Sequence, residues 1–377
     1  MHYHAIVEKH LQTSRDGHMK KNWQNVYEGL TVLVTGHTGF KGSWLTLWLR
    51  ELGAHVIGYS LPPSTTPSNF ELTHLSDMGT SLTGDIRDKK ALHQVFETYQ
   101  PQIVFHLAAQ PIVLQSFTDP QETFETNVMG TINVLEAIKQ SQSIKAAVMI
   151  TSDKCYENKE WIWGYREHDL LGGSDPYSAS KAMAELAISS YRKSFFSSSP
   201  AVASVRAGNV IGGGDFSKFR LVPDGIKALL ENRPIVVRNP QSVRPWLHVL
   251  EPLCGYLMLG AHLLQHGQHY AEAWNFGPLE QEAITAQALI EKMIEFWGGG
   301  DWINPSADKP YSEMGLLRLN WDKAANILKW RPQYSWEEAL KITVEWFKAL
   351  QEKKQMEDVC LQQIRQYSQK NSELAVQ

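Results

Sequence analysis

The sequence predicts an α/β fold built on a doubly wound parallel sheet, and three observations carry this prediction. Short apolar runs alternate with helical segments between residues 31 and 206. A glycine-rich turn follows the first run, and after about residue 207 the alternation gives way to loops rich in glycine and proline. Strands that alternate with helices form parallel sheets covered on both faces. The change after residue 207 predicts a smaller, partly helical second lobe.

The sheet prediction rests on six runs rich in β-branched and apolar residues. They span residues 31–35, 55–59, 81–83, 103–107, 146–151 and 202–206. Helical segments lie between them, for example at residues 43–52 and 123–139. Near the end of the chain, Ser335 and Glu338 form a capping box. The helix that it begins carries on one face Trp336, Leu340, Val344 and Phe347.

Composition excludes several classes of protein. The 377 residues carry 36 Lys and Arg against 40 Asp and Glu, and this net charge of −4 lacks the basic signature of a nucleic-acid binder. No apolar run approaches the ~20 residues that a membrane-spanning helix needs. Three cysteines are scattered without CxxC spacing, and the histidines are scattered apart from His2 and His4. We therefore predict no disulfide framework, no metal site and a reducing, cytoplasmic location.

The glycine-rich turn predicts a dinucleotide site. Gly36, Gly39 and Gly42 stand between the first strand and the first helix, where glycine allows a tight reversal and lets backbone N–H groups approach a pyrophosphate. The residues expected to bind NAD in this turn are Gly36, Thr38, Gly39, Phe40, Lys41 and Gly42.

Two further positions bear on the identity of the dinucleotide. An acidic residue about 20 positions after the turn would bind the ribose of NAD. Residues 56–61 at the end of the second strand contain neither that carboxylate nor an arginine for a 2′-phosphate, so this position leaves NAD and NADP open. After the third strand, Asp85 and Ile86 are expected to hold the adenine.

The turn and the strand pattern together predict a Rossmann-type domain. It covers residues 27–205 with 240–276, after an N-terminal arm at residues 1–26. A substrate-binding domain is predicted at residues 206–239 with 277–350, followed by a C-terminal tail at residues 351–377.

The candidate catalytic pair is Tyr177 and Lys181. The two residues are four positions apart at the start of a predicted helix, so their side chains share one face. Of the 13 tyrosines, only Tyr177 has a lysine four residues later. A neighbouring ammonium favours the phenolate. We therefore expect the pKa of Tyr177 to lie below its ordinary value of ~10, which would make it a base for a hydroxyl proton.

A second polar cluster ends the fifth predicted strand, where ligands bind in sheets of this kind. Ser152 is placed to hydrogen-bond a reacting hydroxyl, while Asp153 and Lys154 add a carboxyl group and an amine.

These motifs resemble those of the extended short-chain dehydrogenase/reductase family, and within it those of the nucleotide-sugar 4,6-dehydratases that act on CDP-D-glucose. The similarity runs from about residue 23 to residue 347. It is carried by TGHTGFKGSW at 35–44, HLAAQP at 106–111, TNVMGT at 126–131, TSDKCYE at 151–157, YSASK at 177–181 and RAGNVIGGGD at 206–215. The Ser-Asp-Lys run at 152–154 is the most specific of these signals, because related dehydratases carry Asp-Glu there.

The resemblance implies a redox-neutral dehydration with bound NAD. Tyr177, helped by Lys181 and Ser152, would take the C4 hydroxyl proton while hydride passes from C4 to NAD. Loss of the C5 proton and of the C6 hydroxyl would follow, with Asp153 as the acid, and hydride would return to C6. Lys154 has two open roles. It acts either as a neutral C5 base or as a cation that stabilises the enolate.

The resemblance also extends the set of expected ligand-binding residues. Further cofactor contacts are implied at Leu107, Ala108, Ala109 and Asn127, besides Tyr177 and Lys181. Substrate contacts are implied at Gln110, Asn209, Arg220 and Arg244, with CDP-glucose as the substrate. One departure is that residues 112–116 read IVLQS, without the basic residue expected in this run, which weakens the prediction for the nucleotide more than that for the reaction.

Two alternatives remain open from the sequence. The first is another nucleotide-sugar enzyme of the same fold, either a dehydratase that acts on a different nucleotide or a 4-epimerase. A 4-epimerase would share the glycine turn and Tyr177 with Lys181, but it would not require Asp153 and Lys154. A non-catalytic NAD-sensing protein on the same scaffold would typically lose the tyrosine or the lysine. A homodimer is implied by the resemblance, through a four-helix interface of segments at about 123–139 and 177–195.

Overall fold

A computed structural model of the chain describes residues 23–279, 284–305 and 317–374. Most of the predicted N-terminal arm, residues 1–22, lies outside the described residues. The strands are β1 (Thr31–Thr35), β2 (His55–Ser60), β3 (Thr80–Thr83), β4 (Ile103–His106), β5 (Ala146–Ile150), β6 (Ala201–Ala207), β7 (Asn209–Ile211), β8 (Ile235–Val236), β9 (Val243–Arg244), β10 (Trp246–His248), β11 (Ala273–Phe276), β12 (Ile284–Thr285) and β13 (Trp302–Ile303).

The α-helices flank these strands on both sides of the main sheet. They are α1 (Phe40–Glu51), α2 (Asn69–Leu72), α3 (Lys89–Tyr99), α4 (Val113–Thr118), α5 (Pro120–Phe124), α6 (Thr131–Gln140), α7 (Pro176–Ser194), α8 (Leu221–Leu230), α9 (Leu250–His266), α10 (Ala286–Trp297), α11 (Trp336–Gln351) and α12 (Met356–Leu374).

Seven parallel strands form the main sheet in the order β3-β2-β1-β4-β5-β6-β11. The first six follow the classical dinucleotide-binding order, in which ligands bind at the carboxyl ends near the point where the strand order reverses. Here that point lies between β1 and β4, whose pairing brings Thr35 opposite His106. The predicted α/β class with a doubly wound parallel sheet is confirmed.

Successive side chains of each buried strand point to opposite faces of the sheet, and both faces are covered by helices. In β1, Val32 and Val34 join one hydrophobic cluster, whereas Leu33 joins the other. The first cluster also contains residues of α1, α9, α11 and α12, and the second contains residues of α3, α6 and α7. Because both faces are apolar, the central strands β1, β4 and β5 are almost continuous hydrophobic runs.

Residues after β6 form short two-stranded pairs in place of a second large sheet. These pairs are β7 with β10, β8 with β13, and β9 with β12, and α8 and α10 pack beside them. The division into domains that the sequence suggested stays a prediction. At the end of this region, the predicted capping box is present and begins α11.

The C-terminal tail expected at residues 351–377 instead contains a packed helix, α12. Its buried face carries Met356, Cys360, Ile364 and Tyr367. Tyr367 Oη donates a hydrogen bond of 2.6 Å to Glu251 on α9, and Arg365 binds both oxygens of Glu51 on α1. Helix α12 therefore packs against α1, the helix that follows the glycine-rich turn, and stabilises its position. No helix among the described residues is long and apolar enough to cross a bilayer.

Candidate active site

The glycine turn between β1 and α1 depends on close backbone packing. Gly36 has a φ of 76°, and a Cβ added there would lie 2.7 Å from the backbone nitrogen of Ala108. A Cβ at Gly42 would lie 2.0 Å from the Gly36 carbonyl oxygen. Gly39 is the N-cap of α1 and offers no capping side chain. The N–H groups that begin α1 thus form a helix terminus suited to an anion.

The end of β2 offers neutral groups to a ligand. The Thr38 hydroxyl lies 2.8 Å from the Ser60 hydroxyl and donates to the Leu61 carbonyl at 2.9 Å. His37 Nε2 lies 2.7 Å from Ser81 Oγ, and burial lowers the pKa of His37 to about 4. The imidazole is therefore uncharged at neutral pH.

The predicted adenine site follows β3. The Asp85 carboxylate accepts hydrogen bonds from Arg87 Nε at 2.9 Å, from Nη2 at 2.7 Å and from the Arg87 backbone N–H at 2.8 Å. These bonds lower the pKa of Asp85. Ile86 is buried, and the Tyr59 hydroxyl donates to the Asp85 carbonyl. Adenine binding by Asp85 and Ile86 stays a prediction.

Asn127 links the segment that follows β4 to α7, the helix that carries Tyr177 and Lys181. It lies in a π-helical turn, Glu125–Gly130, between α5 and α6. Its side chain accepts from the Gln110 N–H and donates to the Gln110 carbonyl and to Ser180 on α7. π-helical turns are frequent at functional sites. The segment from Leu107 through Ala108 and Ala109 to Gln110 is thereby held beside α7.

The polar cluster after β5 is organised around Ser152. Its hydroxyl donates to Asp153 Oδ1 at 2.9 Å and accepts from the Lys154 backbone N–H at 3.2 Å. It is also close enough to Tyr177 to lower the pKa of that phenol. Ser152 and Asp153 are buried, whereas Lys154 is partly exposed. The structure thus brings the serine and the carboxyl group close to the tyrosine, which follows them in the sequence by 25 and 24 positions.

The start of α7 fixes Tyr177 in place. Asp175 caps the helix by accepting from the Ser178 N–H at 2.9 Å, and Pro176 occupies the first turn. The Tyr177 N–H donates to Ser116 on α4. Lys181 lies one turn further along, with its Nζ 5.9 Å from the centre of the Tyr177 ring.

The expected lowering of the Tyr177 pKa is wrong for the chain by itself. Burial raises the pKa of Tyr177 to about 12 and Asp153 adds to this effect, although Ser152 and Arg220 oppose it. Burial also lowers the pKa of Lys181 to about 8. The spacing of the pair was correct, but desolvation outweighs the attraction of a single ammonium.

The side chain of Lys41 lies against α9, although its place in the glycine turn had suggested a contact with the cofactor. Its Nζ donates to the hydroxyl of Tyr256 on α9 at 3.1 Å and lies 5.4 Å from the ring centre. Burial, helped by the cations of Arg220 and Lys181, lowers the pKa of Lys41 to about 7, while Asp153 opposes this shift. The side chain therefore points toward the catalytic cluster.

A buried ionic network behind the cluster was missed by the sequence analysis. Arg206 on β6 donates to Glu185 on α7 at 2.7 Å and to the Tyr156 hydroxyl at 2.6 Å. Glu185 also accepts from Thr151 at 2.5 Å. Burial opposes the charge of Glu185, but Arg206 and the hydrogen bonds outweigh it and lower its pKa. The signal was present, because Glu185 follows Tyr177 and Lys181 at the same four-residue spacing.

Of the predicted substrate residues, Arg220 lies close to this cluster. Arg220 donates to Asp215 at 2.9 Å and is close enough to lower the pKa of Tyr177. Asn209 begins β7, and Arg244 ends β9. The Gln110 side chain is engaged internally, with its Nε2 on Thr123 and its Oε1 on the Ile112 N–H.

A separate cavity of about 560 Å³ lies beside the loop that follows the catalytic cluster. Its walls include Trp161, Trp163, Arg166 and Arg318, together with Pro245, the neighbour of Arg244. None of the five predicted catalytic residues lines it. Among the described residues, no group of three or more His, Cys, Asp or Glu side chains is arranged to hold a metal ion.

Comparison with known proteins agrees with this architecture. A family profile described as GDP-mannose 4,6 dehydratase matches residues 33–343. The chain is 49% identical over 335 residues to the CDP-glucose 4,6-dehydratase of Salmonella typhimurium, covering 86% of this chain and 92% of that protein. It is 28% identical to a probable dTDP-glucose 4,6-dehydratase of Sinorhizobium fredii, covering 84% of this chain and 93% of that protein.

A solved structure shares the fold as well. The UDP-glucose 4-epimerase of Thermus thermophilus, in complex with NAD, superposes with a TM-score of 0.73 at 25% identity, covering 85% of this chain and 99% of that one. The family match covers most of the chain, and this similarity agrees with the sheet order. The chain therefore belongs to the GDP-mannose 4,6 dehydratase family of extended short-chain dehydrogenases/reductases.

Proposed function

We propose that the chain converts CDP-D-glucose into CDP-4-dehydro-6-deoxy-D-glucose with tightly held NAD. The observation that carries this proposal is the cluster in which Ser152 donates a hydrogen bond to Asp153 and lowers the pKa of the buried Tyr177, with Lys154 and Lys181 beside it. It combines a hydroxyl-proton acceptor, an acid and an amine in one buried site.

The residues present fit NAD. The first turn of α1 has no capping side chain and suits a pyrophosphate, while the end of β2 offers the hydroxyls of Thr38 and Ser60. Lys181 is buried close to Tyr177, where it can hold a ribose hydroxyl near the reacting centre. NAD, when bound, would take hydride from C4 of the sugar and return it to C6.

Each proton transfer of the reaction is assigned to a different side chain. Tyr177 is placed to accept the C4 hydroxyl proton once the positive charge of bound NAD brings its pKa down from about 12, and Ser152 orients that hydroxyl. Asp153 gives a proton to the C6 hydroxyl as it leaves. Lys154, on the same short helical turn as Asp153, lies at the position expected to act on the C5 proton or on the enolate charge.

The assignment of CDP-glucose as substrate is supported by the relative from Salmonella typhimurium, which acts on CDP-glucose by its name. Arg220 lies close enough to the reacting centre for its charge to lower the pKa of Tyr177. Asn209, Arg244 and the backbone around Gln110 complete the proposed substrate contacts. A guanidinium offers paired donors that match a diphosphate.

We further propose a homodimer in a reducing, cytoplasmic compartment. The surface of the π-helical turn and of α7 exposes Met129, Met183 and Leu186, and Phe117 on the neighbouring α4 is also exposed. Large exposed apolar side chains gathered on adjacent helices are typical of an interface. All three cysteines are free and buried, as expected of a reducing environment.

The test is a panel of nucleoside-diphosphate glucoses carrying CDP, UDP, dTDP or GDP, incubated with the protein and NAD. We expect a 4-keto product that has lost one water from CDP-glucose, without net reduction of NAD. A C4 epimer of unchanged mass would instead identify a 4-epimerase. The absence of any product from CDP-glucose would contradict the proposed function.

A further inference from the structure

The cavity beside the loop that follows the catalytic cluster has the size and the walls of a ligand site. Its volume is about 560 Å³, and sites for small molecules usually measure roughly 300–1,000 Å³. Its walls combine two indole rings with two guanidinium groups, from Trp161, Trp163, Arg166 and Arg318. Since none of the predicted catalytic residues lines it, the proposed reaction leaves this cavity unexplained.

The two tryptophans form an aromatic corner at this cavity. Their rings meet edge to face, with centroids 5.9 Å apart and an interplanar angle of 77°. Trp161 stacks on Tyr165 at 5.2 Å, which fixes its position. Trp163 is exposed to 66%, a large fraction for an indole. Because nucleobases stack on aromatic side chains, the open surface of Trp163 can receive one.

The residues that line the cavity also carry hydrogen-bond donors that lack partners. Arg318 is fixed through its backbone, because its carbonyl accepts from the Tyr165 N–H at 2.8 Å. Its side-chain Nε is buried and has no hydrogen-bond partner in the part of the chain that the structure describes, and the same holds for Trp161 Nε1. Buried donors without partners are uncommon in folded proteins. A guanidinium supplies paired donors for a phosphate, so Arg166 and Arg318 favour a phosphorylated ligand.

Two carboxylates in the same walls narrow the class of ligand. Asp169 Oδ2 accepts from the Arg166 N–H at 2.7 Å, and Asp322 Oδ2 accepts from Asn320 Nδ2 at 2.8 Å. A carboxylate has about four acceptor positions, so each can accept a further hydrogen bond. The exocyclic amino group of cytosine is such a donor, and carboxylates bind it in protein–DNA complexes. Two arginines with two aspartates therefore suit a ligand that carries both a phosphate and an amino group.

Two tyrosine rings stand between this cavity and the catalytic edge of the sheet. Tyr165, which supports Trp161, stacks on Tyr156 at 5.1 Å. The guanidinium of Arg206 lies 4.9 Å from the centre of the Tyr156 ring and pairs with Glu185 on α7, the catalytic helix. A ligand in the cavity would therefore lie behind this ionic network and apart from the reacting centre.

We propose that this cavity is a second nucleotide-binding site, which takes a nucleoside phosphate whose base carries an amino group. The base stacks on Trp163, and its amino group donates to the carboxylate of Asp169 or Asp322. The phosphate is held by the guanidinium groups of Arg166 and Arg318. This inference goes beyond the proposed reaction and does not depend on it.

The inference is tested by equilibrium dialysis of labelled CMP against the full-length protein loaded with NAD. We expect the wild-type isotherm to contain a component whose Kd rises by about tenfold or more in Trp163→Ala and in Arg318→Met. Trp163→Phe keeps an aromatic surface and should bind CMP nearly as well as the wild-type protein. UMP lacks the amino group and should bind this component about tenfold more weakly than CMP.

Arg233→Met is the matched control, because Arg233 is an exposed arginine outside the cavity that pairs with Glu231. It should leave CMP binding unchanged, and all variants should keep the wild-type thermal midpoint. Equal CMP binding by wild type, Trp163→Ala and Arg318→Met would overturn the inference, as would equal binding of CMP and UMP.

The kinetics of CDP-glucose turnover separate this site from the substrate site. The KM for CDP-glucose should be the same in wild type, Trp163→Ala and Arg318→Met. A KM raised by about tenfold in both variants would place the cavity within the substrate site and overturn its assignment as a second site. If CDP-glucose yields no 4-keto product at all, the proposed function fails, while dialysis against CMP still decides the present inference.

Discussion

The two functional edges of the main sheet are built on different principles. At the end of β5, the reactive side chains of the catalytic edge rest on a buried ionic network that joins Arg206, Glu185 and Tyr156. At the ends of β1 and β2, the cofactor edge presents backbone N–H groups and neutral hydroxyls. We therefore expect side-chain substitutions at the catalytic edge to impair activity or stability severely. Substitutions at the cofactor edge should have mild effects, except at its glycines.

Replacement of Lys154 should have a large effect on catalysis at the catalytic edge. We expect Lys154→Met to lower kcat by about 10²- to 10⁴-fold, because it removes the group that acts on C5. C4 oxidation, followed at 340 nm, should be spared. Incorporation of solvent deuterium at C5, followed by mass spectrometry, should be impaired.

Lys159→Met is the matched control, because Lys159 lies on the same loop and pairs with Glu157 at the surface. Its activity should stay close to that of the parent. Full deuterium incorporation at C5 by Lys154→Met would exclude a role of Lys154 as base.

Removal of Arg206 should test the network that supports the catalytic edge. Arg206→Met leaves the buried Glu185 without its partner, and such a change costs about 3–5 kcal/mol of unfolding free energy. Urea unfolding at pH 7 measures it. The double variant Arg206→Met/Glu185→Leu should recover much of the loss, since an apolar pair needs no compensation. A double variant as unstable as the single one would contradict this account of the network.

Lys41 lies between the two edges, and we expect its ionisation to make the stability of the protein depend on pH. Burial lowers its pKa from 10.5 to about 7 in the folded chain. Between these values the unfolded chain binds a proton that the folded chain does not, so stability rises with pH across this range. Thermal unfolding from pH 7 to 10 should therefore show the wild-type protein gaining stability relative to Lys41→Met.

Lys341→Met serves as the control for Lys41, because Lys341 is an exposed lysine on α11. Its stability should follow that of the wild-type protein at every pH. A constant difference between wild type and Lys41→Met from pH 7 to 10 would show that Lys41 keeps an ordinary pKa.

The smallest effect is expected at the cofactor edge. Leu61→Asp adds an acid just after β2, where a carboxylate would accept hydrogen bonds from ribose hydroxyls. We expect the Kd for NAD, measured by fluorescence titration, to fall by roughly tenfold, the effect of a charge-assisted hydrogen bond. Leu61→Asn is the uncharged control. Equal affinities of the two variants would show that the ribose is held elsewhere.

Features set by local spacing were predictable from the sequence. The first six strands, the glycine turn and the capping box of α11 each depend on a few neighbouring residues, and the structure contains them; the seventh strand of the main sheet, β11, was not predicted. The convergence of Tyr177 with Ser152 followed from the parallel sheet, whose carboxyl ends meet at one edge. The buried face of α12, at residues 356, 360, 364 and 367, also has helical spacing, although we expected a tail there.

Features set by tertiary burial were not predictable in this way. The direction in which the pKa of Tyr177 shifts depends on how completely the fold removes water from its hydroxyl. The spacing of residues in the sequence carries no information about this burial. Lys41 meets Tyr256 across 215 positions of sequence, and Arg206 meets Glu185 from a different element. These contacts arise only once the sheet and both helical layers are assembled.

The most direct test of the account is the turnover of CDP-glucose by purified Tyr177→Phe with NAD. Phenylalanine keeps the buried ring but removes the hydroxyl through which the C4 proton must pass. The account predicts that kcat falls by about 10³-fold or more while NAD binding and the thermal midpoint stay near those of the parent. Turnover at the parental rate would contradict the central role of Tyr177.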